Sequence, residues 1–297
     1  MLLEAVPNFS EGRDPATLAA LGDALGAHAR VLDLHADADH DRCVFTVVGR
    51  PDELVEALVA GARVAVERID LSRKDGVHPR TGAADVLPLV PLEPQHLAAA
   101  CVAAIELARR LARELELPVF LYGACAGGLR PAHFRRGGLA GLQQRILAGE
   151  LSPDFGTSLI DLRCGVALVG ARPPLVAFNV NLATVDIEVA RAIAGVVREA
   201  GGGFPGVRAL GLALERAGCV QVSMNIEDWQ AAPPHLVVAC IREEAARHGV
   251  DVLGSELVGL LPAGAAALAA AGPLALPELA PDRILESRAL GASPLGA

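Results

Sequence analysis

Apolar positions along this chain recur with two periods, and their alternation predicts the same order of elements twice. Residues 3–9 are short, apolar and extended in character. Asp14-Pro15 has the residue types of an N-cap and a first helical position, and Leu18, Leu21, Leu25 and His28 line one face of the helix that follows. Arg30–Leu34 and Cys43–Val48 are β-rich runs. Pro51 and Asp52 open a helix in which Leu54, Leu58, Ala62, Ala65 and Ile69 repeat at helical spacing. Val86–Leu92 reads as the next strand, and its prolines at 88 and 91 predict an edge or irregular one. The order is β-α-β-β-α-β, the split pattern of a ferredoxin-like sandwich.

The second copy begins with a strand at Leu175–Leu182 and a helix at Asp186–Glu199. Val207–Leu214 and Cys219–Ile226 read as strands joined across a turn at Gly218. Pro233–His248 reads as a helix closed by Gly249, and Asp251–Leu261 as the last strand. Between the copies, residues 93–165 form an insertion with a long helix (Pro94–Glu116), the strand Val119–Gly123, a shorter helix and the turn-rich Pro153-Asp154-Phe155-Gly156. A short helix near 264–271 and then an Ala-, Leu-, Pro- and Gly-rich tail close the chain. The expected class is α/β of the α+β kind, with two ferredoxin-like βαββαβ sandwich subdomains.

Composition agrees with that division, because 297 residues are many for one compact core. Hydrophobic residues make up 52% and aromatics only 3%, so the cores must be built from Leu, Val, Ile and Ala. A formal charge of −9 argues against sequence-independent nucleic-acid binding, and no Lys/Arg run offers an anionic membrane a patch. Met1-Leu2-Leu3-Glu4 lacks the positive start of a signal peptide, and Glu256, Pro262 and Pro273 interrupt the best apolar stretch. The six cysteines form no Cys-x-x-Cys pair, and Cys101 and Cys240 fall on apolar helix faces, as in a reduced compartment. A soluble, cytoplasmic protein is expected.

Candidate chemistry concentrates in Gly76-Val77-His78-Pro79-Arg80-Thr81-Gly82. Pro79 restricts His78 to extended backbone, and the motif holds an imidazole and a guanidinium on a loop. Histidine is the side chain whose ordinary pKa suits proton transfer near neutrality, although a plain proline turn would also fit. His35–Arg42 packs two histidines, three aspartates and an arginine into eight residues. Imidazole and carboxylate suit zinc or manganese, but the spacing matches no His-Glu-x-x-His signature and alternate residues of an extended chain face opposite ways. A polar loop with substrate contacts is the preferred reading, and no metal is expected. Gly201–Gly206 lacks the Gly-Lys-Ser/Thr of a phosphate-binding loop and reads as a connection. Asn179 and Asn181 alternate along one strand, where they either bind substrate or lie on a solvated face. No Gly-x-Ser-x-Gly elbow supports a hydrolase.

Set side by side, these segments resemble the glutamate formimidoyltransferase family. The matching blocks are Val6-Pro7-Asn8-Phe9-Ser10-Glu11-Gly12, Asp39-His40-Asp41-Arg42 and Gly-x-His-Pro-Arg-x-Gly-Ala-x-Asp-Val ending at Asp85-Val86. Leu121-Tyr122-Gly123, Pro153–Gly156, Val169–Arg172 and Ala177–Leu182 follow in family order, then Gln221–Asn225 and Gly254–Leu260. The resemblance implies transfer of a formimidoyl group between N-formimidoyl-L-glutamate and tetrahydrofolate, the co-substrate, in histidine breakdown. It also implies subdomains at 1–174 and 175–297, commonly a homodimer, and a separate protein for the later release of ammonia.

On this resemblance His78 is the catalytic acid/base. The folate-contacting stretch falls on Gly156, Thr157, Ser158, Leu159, Ile160, Asp161, Leu162, Arg163, Cys164 and Gly165, which could otherwise be a mere linker. Substrate contacts are expected from His35, Asp39, Arg42, Arg80, Asn179 and Asn181, with Arg163 and Arg172 as further carboxylate partners. The amidinium is cationic, so Asp39 is a candidate neighbour. His78, Arg42 and 156–165 are expected to converge on a cleft between the subdomains. Lys74 stands where a histidine is expected, Ala124-Cys125 and Gly138 where glutamates are usual, and Asp41 where asparagine is usual. His35, Asp161 and Arg163 also depart from the animal type. These departures leave open transfer of a formyl group, and the fold, which serves ligand-binding modules as readily as catalysts, leaves open a non-catalytic paralogue that binds folate or an amino acid.

Overall fold

The computed structural model describes residues 1–269 together with 283, 285 and 288. It divides into two compact units, Met1–Pro173 and a second from Pro174 onward. In the first unit the chain runs β1 (Leu3–Ala5), β2 (Asn8–Phe9), α1 (Pro15–Gly26), β3 (Arg30–Asp37), β4 (Arg42–Gly49), α2 (Pro51–Arg68) and β5 (Ala84–Pro91). It continues through α3 (Leu97–Leu115), β6 (Val119–Gly123), α4 (Pro131–Phe134), α5 (Gly138–Leu147) and β7 (Ala167–Ala171). Among the described residues these strands form one seven-stranded sheet. β4 pairs antiparallel with β3 on one side and with β1 and β2 on the other, and β5 closes the antiparallel part against β1 and β2. That order, β5-β1-β4-β3, is the ferredoxin-like one. β7 and β6 then extend the sheet in parallel.

Alternation along the strands builds two cores in this unit. Phe9, Phe45, Leu87, Leu89, Val119 and Leu121 pack with Leu21, Leu54, Leu58, Leu107 and Leu111 of the three long helices. The intervening residues Val86, Phe120, Tyr122 and Leu168 pack instead with Phe134, Leu142 and Ile146 of α4 and α5. The insertion is therefore structural, sending an extra strand into the sheet and a short helical pair onto its second face.

The second unit contains β8 (Val176–Leu182), α6 (Ile187–Val197), β9 (Val207–Leu214), β10 (Cys219–Ile226), α7 (Pro234–Arg247), β11 (Val252–Val258) and α8 (Ala263–Ala269). Its four-stranded sheet is antiparallel in the order β11-β8-β10-β9, the same ferredoxin-like arrangement. Val176, Phe178, Val180 and Leu182 face Ile193, Val197, Val237 and Ile241 in its core. Asn179 and Asn181 alternate with them and so lie on the other face.

Several local expectations change. β5 is internal, so of the two expectations the irregular strand holds and the edge does not: its register with β2 shifts between Asn8 and Phe9. Pro88 is tolerated because it lies opposite the Val6-Pro7 break between β1 and β2, where Ala5 pairs with Leu89 and Asn8 with Val86. Pairing of His35 with Val44 and Asp37 with Arg42 lengthens β3 and β4, leaving only residues 38–41 as the turn. β7, between β5 and β6, has no counterpart in the expected element order. The helix expected near 264–271 is seen to Ala269, and the expected tail falls outside the described residues except at 283, 285 and 288.

Candidate active site

His78 sits on the connection from α2 to β5, and that connection is fastened at many points. Asp70 caps a short 3-10 turn by accepting from the Ser72 amide at 3.0 Å. Lys74 Nζ donates to Glu11 Oε2 at 2.7 Å and to Asp41 Oδ1 at 3.2 Å. Val77 N donates to the Asp39 carbonyl at 3.1 Å, and Arg13 pairs with Asp75. Arg80 spends its fork on backbone, donating to the carbonyls of His40 at 2.7 Å and Asp41 at 3.0 Å. Gly76 permits this approach: a Cβ there would stand 2.1 Å from the His40 carbonyl oxygen. Among these residues Arg80 is a strut of the loop and Lys74 a tie.

The His78 ring stacks on His40, with centroids 5.7 Å apart and planes inclined by 26°. Its Nδ1 lies 2.8 Å from the Pro79 carbonyl oxygen. A carbonyl can only accept, so this bond requires the proton on Nδ1 and leaves the Nε2 lone pair free in the neutral ring. Burial, followed by the charges of Arg42 and Arg135, holds His78 well below the ordinary imidazole value. At neutral pH it is an uncharged base.

Beside it lies a buried charge centre around Asp85, whose side chain is shut off from solvent. Arg42 Nη1 donates to Asp85 Oδ2 at 2.7 Å, and Arg135 Nη2 donates to the same oxygen. Oδ1 accepts from the amides of Thr81 at 2.8 Å and Gly82 at 3.2 Å. Burial alone would raise this carboxyl, but the two guanidiniums outweigh it and hold Asp85 well below the usual carboxylate range. Burial pushes Arg42 down to about 10, so it remains charged at neutral pH, and its Nε is held by Asn8 Oδ1 at 3.0 Å.

The segment 156–165 is irregular, and its far end is sewn to the His78 loop. Leu71 N donates to the Arg163 carbonyl, Ala83 N to Cys164 and Val166 N to Thr81, at 2.9, 2.8 and 2.9 Å. Gly165 has φ +70°, and a Cβ on it would stand 2.1 Å from the Thr81 oxygen, so glycine is required. Ile160 anchors the segment in the second core. Gly156, Thr157, Ser158, Asp161 and Arg163 are exposed, as are Leu159 (79%) and Leu162 (50%). Thr157 and Asp161 already accept local amides, and Cys164 is half-buried.

Of the remaining expected residues, His35 lies on β3 opposite Val44, and Asp39 sits in the turn whose carbonyl ties Val77. Asn181 belongs to the second unit, where its amide donates to Glu256 Oε1 at 3.1 Å and accepts from Gln221 at 2.9 Å. Asn179 is buried on the same strand. Arg172 donates to the Pro173 carbonyl at 3.0 Å. Sequence reasoning assigned no role to Asp85, Arg135, His40 or Asn8. Asp85 was visible as the acid closing the histidine motif, and Asn8 and His40 lay in matching blocks; Arg135, on the α4–α5 connection, carried no signal. Among the described residues, no group of three His, Cys, Asp or Glu is placed to hold a metal, and no helix is long and apolar enough to cross a membrane.

Residues 2–172 match the family model of the formiminotransferase domain, N-terminal subdomain, and residues 177–273 that of the formiminotransferase domain. The chain belongs to the formiminotransferase family. It is 40% identical to a glutamate formimidoyltransferase of Streptococcus pyogenes serotype M1, covering 89% of this chain and 90% of that one. To the glutamate formimidoyltransferase of Thermoplasma acidophilum it is 37% identical, covering 88% of each. To the formimidoyltransferase-cyclodeaminase of Gallus gallus it is 39% identical over 88% of this chain but 50% of that longer one. The formiminotransferases named here are transferases, and this chain is an enzyme of that class.

Proposed function

We propose that this formiminotransferase-family enzyme moves a formimidoyl group between N-formimidoyl-L-glutamate and tetrahydrofolate, with His78 as general acid/base. The observation that carries the reading is the 2.8 Å contact of His78 Nδ1 with the Pro79 carbonyl oxygen, which assigns the ring proton to Nδ1 and leaves Nε2 to act as the base. Transfer at an amidine carbon needs a folate nitrogen freed of its proton as the new C–N bond forms. It then needs a proton for the departing glutamate nitrogen as the old C–N bond breaks. Nε2 takes the first proton and returns it to the leaving nitrogen, so one ring serves both steps. Folate is received along 156–165: Leu159 and Leu162 offer apolar contact to a flat ring, and Thr157, Ser158 and Asp161 offer polar atoms. Asp39 faces the cationic amidine, and Arg42 meets the donor's carboxylate. Arg80 acts on substrate through the loop it holds, and His35 adds a substrate contact from β3. On the same reading the enzyme serves histidine breakdown in the cytoplasm as a homodimer.

The test is to assay the purified protein with tetrahydrofolate and, side by side, N-formimidoyl- and N-formyl-glutamate. Clear preference for the formimidoyl donor is expected. Preference for the formyl donor would overturn the choice of group, and binding without turnover of either would indicate a sensor rather than an enzyme.

A further inference from the structure

At the charge centre beside His78 one carboxylate bonds two guanidiniums. Among the described residues, Asp85 is the carboxylate that bonds Arg42, and it is also the one that bonds Arg135. Both its oxygens are occupied, one by the two guanidiniums and the other by Thr81 and Gly82 amides. Acids bonded around the His78 loop are engaged elsewhere: Glu11 with Lys74, Asp41 with Lys74 and Arg13, Asp75 with Arg13, and Asp37 with the His40 amide. Arg80 adds a further cation, and His78 itself is uncharged. Two guanidiniums on one acid leave a surplus positive charge in a buried place, which is costly unless an anion meets it. A second observation points the same way. Arg135 Nε is buried and has no hydrogen-bond partner, although buried donors are almost always satisfied.

We infer that Arg135 and Arg42 together receive the α-carboxylate of the glutamate donor beside His78. One surplus charge and planar N–H forks suit a single carboxylate, which guanidinium binds through paired hydrogen bonds. This rests on the formimidoylglutamate reading, and bonding selects which carboxylate is meant. The formimidoyl group sits on the α-nitrogen, so the α-carboxylate carbon is two bonds from the nitrogen that departs, whereas the side-chain carboxylate carbon is four bonds from it. A site whose charges act on His78 therefore takes the near carboxylate. Arg135 is on this account a specificity residue.

The site can be read without turnover. Calorimetric titration of the wild-type protein with L-glutamate, L-isoglutamine (the α-amide) and L-glutamine (the γ-amide) compares the two carboxylates directly. Isoglutamine is expected to bind roughly 10- to 10²-fold more weakly than glutamate, the usual scale for losing a charge-assisted pair. Arg135→Met should bring glutamate down to the isoglutamine level, with Arg135→Lys recovering only part. Equal binding of glutamate and isoglutamine by the wild-type protein, no measurable binding of any of the three, or an unchanged gap in Arg135→Met would each overturn the site. The same comparison on wild type alone decides the matter if the variants fail to fold. A gap that persists in a protein unable to use the formimidoyl donor sinks the reaction and keeps the site; turnover with no gap sinks the site alone.

Discussion

Arg80 bonds the backbone carbonyl of His40, at 2.7 Å, and so couples the turn between β3 and β4 to the loop that carries His78. The His40 ring stacks on His78 from that same turn. One guanidinium thus fixes both members of the imidazole pair through main-chain atoms.

Arg80→Met removes donors from two carbonyls at once. Hydrogen bonds to charged groups contribute about 1.5–3 kcal/mol each, so a fall in melting temperature is expected. A catalytic loss should accompany it, because misplacing a base by about 1 Å can cost 10²-fold. Arg80→Lys should restore little of either, since a single ammonium does not reproduce the fork. Thermal unfolding with kcat measured on the same samples checks this, and a full rescue by lysine would contradict the strut.

Gly165→Ala tests the seam between 156–165 and the His78 loop. The added methyl meets the Thr81 carbonyl while the backbone is held at a positive φ, a strain of order 1–3 kcal/mol before any clash. The variant should unfold earlier and raise KM for tetrahydrofolate more than KM for the donor. Equal changes in both KM values would detach the seam from folate binding.

Asp85→Asn leaves the buried Arg42 and the half-buried Arg135 without a counter-charge, a change that costs about 3–5 kcal/mol where a buried pair is broken. The acid behaviour follows from the direction of its shift. Because the folded carboxyl is held far below its ordinary value, its stabilisation is fully present above the unfolded value of about 3.9 and is lost only as pH falls towards the folded value. Wild-type stability followed from pH 7 to pH 2 should therefore decline through the acid range, and the decline should be shallower in Asp85→Asn.

Much of this architecture was legible from periodicity alone. Both βαββαβ units show in the spacing of Leu54, Leu58, Ala62 and Ala65 and in the alternation of Phe178, Val180 and Leu182. Pro88 left edge and irregular strand undecided because its tolerance depends on a gap in a neighbouring strand, a non-local fact. His78 and Arg42 stood out in their motifs, while the joining of Arg42 to Arg135 through Asp85 depends on tertiary contact between distant segments. Arg80 looked like a ligand group because its type suits carboxylates, and only its partners show that its fork is spent on backbone.

The central claim is that His78 works as a neutral base with a depressed pKa, and the pH dependence of kcat/KM tests it most directly. Wild-type enzyme should keep its activity down through pH 6.5, with the acid limb well below that value. His78→Asn should lose that limb, with turnover reduced by roughly 10²–10⁴-fold and the melting temperature little changed. An acid limb at or above 6.5, or near-wild-type turnover in His78→Asn, would contradict the account.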